Sequence, residues 1–160
     1  MKKYQISDKR FVVIKNDEIR LFEDGSPKAA TFIYSRWAHF VEYFDEIDDA
    51  FARLVKGDAD IKLQIHIGGA WFVSVTSGFM CVDIRKFYVA PGGETKATKT
   101  GIAIRLSEWD RVKDIAREMK EKNPKIANAQ PCWTNADHFN QEGAVNCPEC
   151  NPFSNWFAPQ

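Results

Sequence analysis

One short pattern occurs twice in this chain, in the same order. Tyr4-Gln5-Ile6 returns as Leu63-Gln64-Ile65, and Glu18-Ile19-Arg20-Leu21-Phe22 returns as Asp83-Ile84-Arg85-Lys86-Phe87. Phe32, Tyr34, Ser35 and Trp37 return as Ile104, Leu106, Ser107 and Trp109. Arg20 to Trp37 is 17 positions and Arg85 to Trp109 is 24, so the second copy carries seven more residues. They fall in a Gly-, Thr- and Lys-rich stretch read as a surface loop, where insertions cost little. Two copies are too few for a solenoid. They predict two half-units sharing one core, as the protomers of a homodimer do.

Each copy reads as strands followed by one helix. In the first, Tyr4 to Ile6, Arg10 to Ile14, Glu18 to Phe22 and Ala30 to Tyr34 are rich in β-branched and aromatic residues. Asn16-Asp17 and Asp24-Gly25 punctuate them as turns. The period then changes, with Trp37, Phe40, Val41, Phe44, Ile47, Phe51 and Leu54 at helical spacing. Ser35 is placed to cap this helix and Gly57 to stop it. In the second copy, Ile61 to Ile67 alternate with polar residues, and Trp71 to Val75, Met80 to Tyr88 and Gly101 to Leu106 follow as strands. Ser107 with Asp110 resembles a capping box, Trp109, Val112, Ile115, Ala116 and Met119 form the helix stripe, and Asn123-Pro124 ends it. Cys81, inside a strand, reads as core.

The expectation is an α+β fold of two ββββα units, residues 1–57 and 58–123, with curved antiparallel sheets and packed helices near 35–56 and 107–122. Each unit alone, at about 60 residues, sits near the lower limit for a stable core. Together the 160 residues, 44% hydrophobic and with 12 Phe and 5 Trp, have ample apolar surface for one interior. No apolar run reaches the ~20 residues of a membrane helix. The start, MKKYQISDKRF, has no apolar segment behind its basic pair and predicts no signal peptide. The expected setting is therefore intracellular and reducing, cytoplasmic or nuclear.

Net charge is zero, which argues against a uniformly basic coat, yet the charge is unevenly spread. Residues 36–60 hold three basic and seven acidic side chains, and residues 61–105 hold six basic and two acidic. A basic face and an acidic face are thereby available on one neutral protein.

The run of residues 71–119 resembles the positive cofactor 4 family of single-stranded-DNA-binding transcriptional coactivators. The likeness rests on the strand pair FVSV and VDIRKFY, on the loop leading into Lys99-Thr100-Gly101-Ile102, and on the polar pair before Trp109. Residues 4–54 fit more loosely through YQI, RFVV, EIRLF and the Trp37 helix. The resemblance implies a curved four-stranded sheet with one helix, normally dimeric through the helices, here fused into a monomeric pseudo-dimer. It also implies single strands running along grooves lined by basic and aromatic side chains. Arg85, Tyr88 and Lys99 fall on groove positions, and Arg20 matches Arg85. Glu23 stands where Tyr88 does and would repel phosphate. Lys15, Lys28, Phe79, Lys86 and Lys96 complete the candidate set, since single-strand binding needs cations for phosphates and π-faces for bases.

Residues 124–160 break the pattern and form a Cys/His tail. Cys132, His138, Cys147 and Cys150 are spaced C-x5-H-x8-C-x2-C, a sufficient ligand set for a structural, tetrahedral zinc. There is no Gly-rich phosphate loop ahead of a helix and no nucleophile–base set, and Glu142 and Glu149 lack the H-x-E pattern of a zinc deaminase. His39 and His66 read as surface or satisfied residues. A non-enzymatic single-stranded-DNA-binding protein of replication, recombination or transcription is the leading expectation. The alternatives are an adaptor docking on polymerase or replication proteins, and an RNA-binding protein on the same scaffold.

Overall fold

The computed structural model describes residues 1–134 and 147–153. Two four-stranded antiparallel sheets each run in simple meander order. The first is built from β1 (Lys2–Gln5), β2 (Arg10–Lys15), β3 (Glu18–Glu23) and β4 (Ala29–Ile33). Two helices follow, α1 (Tyr34–Glu42) and α2 (Phe44–Val55). The second sheet comprises β5 (Lys62–Gly68), β6 (Trp71–Thr76), β7 (Phe79–Val89) and β8 (Thr95–Arg105). Helix α3 (Leu106–Lys122), the short α4 (Pro124–Ala127) and a 3-10 turn at Cys132–Thr134 complete the described chain. None of the described helices is long and apolar enough to cross a membrane.

Alternation sets the inner and outer faces. Val12, Ile19, Leu21, Ala30 and Phe32 of the first sheet and Ile65, Ile67, Val73, Val75, Val82, Ile84, Ile102 and Ile104 of the second are buried in one continuous core. Between the sheets, the indole of Trp109 lies 5.0 Å from the Phe44 ring and 6.1 Å from that of Phe40, centroid to centroid. The indole N–H donates to Asp48 Oδ1 at 2.7 Å. Helices of the two halves therefore touch. Helix α2 also packs on β6 and β7 of the second sheet, and α3 reaches the first, where Arg111 donates to the Gln5 carbonyl. Edge strands β4 and β8 lie side by side.

The residues repeated in sequence occupy matching places. Tyr34 and Leu106 each open a helix directly after an edge strand, and Trp37 and Trp109 are each buried three residues later.

Several local expectations need correction. The helix predicted over 35–56 is two helices, broken at Tyr43, whose N–H bonds back to the Phe40 and Val41 carbonyls. The break lets α1 pack on β3, β4 and β5 while α2 turns onto β6 and β7. Ser35 does not cap α1; the N-cap position is Ile33, without a side-chain bond. At α3 the cap comes from Glu108 rather than Ser107 and Asp110, its carboxylate accepting from the Arg105 N–H at 3.0 Å. Residues 95–100, read as loop, belong to β8, because β7 and β8 extend together into a long two-stranded arm. Cys81 lies half-buried on the outer face, since Val82 next to it and Ile84 beyond take the inward positions.

Of the two readings for His39, surface or satisfied, the structure has the second: it is buried on α1, its ring 5.4 Å from that of Tyr43. Burial pushes its pKa down to about 4; repulsion from His66 adds to this and a hydrogen bond with the Ile67 backbone opposes it. The folded state thus prefers neutral His39. Stability from this group is complete above the unfolded value of 6.5 and falls as pH drops from there towards 4. Urea midpoints measured at pH 7 and pH 5 should separate for the parent and converge for His39→Gln. An unchanged gap in the variant would assign the acid sensitivity elsewhere.

Candidate nucleic-acid interface and cysteine cluster

On the outer face of the first sheet, Phe11 and Phe22 are directly paired across β2 and β3, with ring centroids 5.8 Å apart. The Lys3 ammonium stands 4.1 Å from the Phe11 centroid, and the Arg20 guanidinium 5.3 Å from that of Phe22. Arg20 is exposed, with no carboxylate in ion-pair range among the described residues. The outer face of the second sheet repeats the arrangement with different partners. Phe72 and Phe87 lie 4.7 Å apart, and His66 flanks Phe72 at 5.0 Å while bonding the Gly69 carbonyl. Here the matching cation is engaged. Arg85 grips Asp83 through Nε and Nη2, at 3.1 and 3.0 Å, and donates from Nη1 to the Thr98 carbonyl.

Gly101 sits opposite Arg85 in the ladder, and a Cβ there would overlap the Ile84 carbonyl oxygen and crowd the Arg85 Cα. The close approach of β7 and β8 at this point therefore requires glycine.

The structure spreads the sequence-predicted residues rather than clustering them. Tyr88 and Lys96 are ladder partners, so they share one side of the arm with Lys86; Arg85 and Phe87 point to the other side. Lys86, Tyr88, Lys96 and Lys99 are exposed. Phe79, 50% exposed, lies at the opposite end of β7 from Tyr88. Lys15 and Lys28 are exposed beyond opposite ends of β3. Glu23 is held by Arg10 at 3.1 Å, and that bond is the main reason its pKa lies below the usual carboxylate value. Sequence reasoning passed over Lys3, Phe11, Phe22, Phe72 and Phe87. The signal was present: strict alternation puts Phe11 opposite in direction to Val12, and Phe22 opposite to Leu21.

The two sheets meet at charged clasps that use opposite donors. At one, Arg10 of β2 donates to the Ala103 carbonyl and pairs with Glu108 at the start of α3, 3.1 Å away. Ser7 Oγ and the Arg105 N–H complete the Glu108 carboxylate. At the other, Arg36 at the start of α1 donates to the Thr31 carbonyl at 3.0 Å, and its anion is Glu149 from the CPEC segment.

That segment brings Cys132, Cys147 and Cys150 together, all three sulfurs within 4.8 Å of one another. Cys132 and Cys150 sulfurs are 3.1 Å apart, well beyond the ~2.05 Å of a disulfide. Burial pushes both the Cys132 and Cys150 thiols up; the other two sulfurs add to the shift at Cys132, while at Cys150 the bond with Cys132 opposes it and Cys147 adds to it. His138, the fourth ligand expected from spacing, lies outside the described residues.

The family model for the Transcriptional Coactivator p15 (PC4) matches residues 72–115, which run from β6 into α3. No curated protein and no solved structure matches the chain.

Proposed function

We propose that this protein binds single-stranded DNA on the outer faces of its two sheets, without catalysing a reaction, and serves transcription as a coactivator-type factor. The observation that carries the reading is the cation-flanked Phe pair on each outer face, Phe11–Phe22 with Lys3 and Arg20, and Phe72–Phe87 beside Arg85. Aromatic rings held half-buried on a solvent face offer stacking surfaces, and adjacent cations track phosphates. The family match over residues 72–115 supports the same chemistry. In this reading the two halves, residues 1–57 and 58–123, act as an intramolecular pseudo-dimer derived from a duplicated unit. Phe79, Lys15 and Lys28 at the strand ends extend the contact along each sheet, and Lys86, Tyr88 and Lys96, on the other side of the β7–β8 arm, together with Lys99 would meet a strand that passes around the arm.

Arg20 carries more of the binding than Arg85. Its guanidinium is free to meet phosphate, whereas Arg85 must first loosen its grip on Asp83. Gel shifts with single-stranded DNA, duplex DNA and RNA oligomers at two salt concentrations test the reading. Single-stranded DNA should bind most tightly, with a linear logarithmic salt dependence. Arg20→Ala should reduce that slope by about 0.7. Phe22→Ala and Phe87→Ala should each cost ~1–3 kcal/mol with little change in slope. Equal binding of duplex would overturn the single-strand assignment, tighter binding of RNA would favour the RNA reading, and no binding at all would favour a protein adaptor.

A further inference from the structure

We propose that Cys132, Cys147 and Cys150 hold a structural zinc ion, and that this metal site fastens the C-terminal segment onto the junction of the two sheets through Glu149. The proposal is independent of nucleic-acid binding. Three observations carry it.

The first is ligand geometry. The Cys132 sulfur lies 3.1 Å from that of Cys150 and 4.0 Å from that of Cys147. A tetrahedral zinc with Zn–S bonds of ~2.3 Å needs sulfurs about 3.8 Å apart, so small side-chain rotations fit the ion. Three soft sulfur donors select zinc over the hard cations.

The second is outer-shell support. The Cys150 N–H points at the Cys147 sulfur at 3.5 Å, and the Asn151 N–H closes the turn on the Cys147 carbonyl at 2.8 Å. An amide directed at a thiolate stabilises its negative charge, a usual partner of a bound metal.

The third is how the turn is docked. Glu149, between the two cysteines, takes a two-point grip from Arg36 at 3.1 and 2.6 Å. Its backbone carbonyl accepts from the Gly69 N–H at 2.9 Å. Both side chains are mostly buried, at 13% and 18% exposure. At the matching junction Arg10 and Glu108 supply both charges from the two sheets' own elements. Here Trp71, before Phe72, stands where Arg10 stands before Phe11, so that position offers Arg36 no charge, and among the described residues Glu149 of the tail provides it. Gly68 and Gly69 make room, since a Cβ on either would collide with Glu149 or Arg36. Metal binding shapes the turn, and the turn presents Glu149 to Arg36.

The test uses the full chain, purified under reducing conditions without chelator. Elemental analysis should find about one zinc per chain, and Cys147→Ser and Cys150→Ser should hold less than about a tenth of that. Cobalt added to the metal-stripped parent should give the intense visible absorption of a tetrahedral thiolate site, a readout that survives if a serine variant misfolds. Arg36→Met should keep the ligands but weaken zinc about 10–100-fold in a chelator competition, as loss of outer-shell support does. A chain without metal, iron in place of zinc, or a disulfide among these cysteines in fresh reduced protein would overturn the site. An Arg36→Met variant with unchanged zinc affinity would overturn the coupling.

Discussion

Arg10→Ala should destabilise the protein by about 3–5 kcal/mol, the cost of breaking a buried ion pair by removing one partner. Arg10 is 6% exposed and Glu108 5%, so deletion strands a carboxylate with Ser7 and one backbone amide as its remaining partners. It also leaves the Ala103 carbonyl without its donor and frees Glu23, whose pKa should return towards its ordinary value. The loss is a large share of the ~5–15 kcal/mol that holds a typical domain folded. Urea unfolding followed by circular dichroism measures it. The mechanism makes a second demand: Arg10→Met combined with Glu108→Met should recover much of the loss, because no uncompensated charge remains. If the double variant is as unstable as the sum of the singles, the clasp is not the cause.

Trp109→Ala should cost a comparable ~3–5 kcal/mol. Its indole is 2% exposed and meets Phe40, Phe44 and Phe51 across the boundary between the halves. Truncation opens a cavity there and leaves Asp48 with Lys113 alone. Trp109→Phe separates the contributions: it keeps most of the packing and loses the bond to Asp48, worth about 1 kcal/mol or somewhat more for a charged acceptor. Thermal melts of both variants decide the matter. A Trp109→Ala loss below about 1 kcal/mol would mean that the helices are not cemented at this point.

Much of the architecture was legible because its causes are local. Asn16 and Asp17 adopt positive φ angles of 54° and 60°, the conformation a two-residue hairpin turn demands, and both residue types tolerate it. The switch from period two to helical period at Tyr34 marks where β4 becomes α1. The second helix stripe, Trp109 to Met119, is buried as its spacing requires. The extent of β8 was not legible. Thr95 to Thr100 look like loop in composition, and the ladder of Thr95, Lys96 and Ala97 with Val89, Tyr88 and Phe87 carries β8 through them.

The candidate interface divides along the same line. Residue types and alternation by themselves determined that Arg20 with Phe22, and Arg85 with Phe87, share strand faces, because side chains two apart on a strand point the same way. They also supplied the cysteines of the tail. Whether a cation is available does not follow from alternation, because it depends on which same-face neighbour and which carbonyl of the adjoining strand the side chain meets, and only the tertiary structure shows that. Arg85 is occupied by Asp83 and the Thr98 carbonyl, while Arg20 faces a ring and solvent. Arg36 and Glu149 are 113 positions apart, and no periodicity links them. Strand and helix patterns follow from steric preferences of adjacent residues; the pairing of buried charges follows from which surfaces meet when the two sheets close on one core.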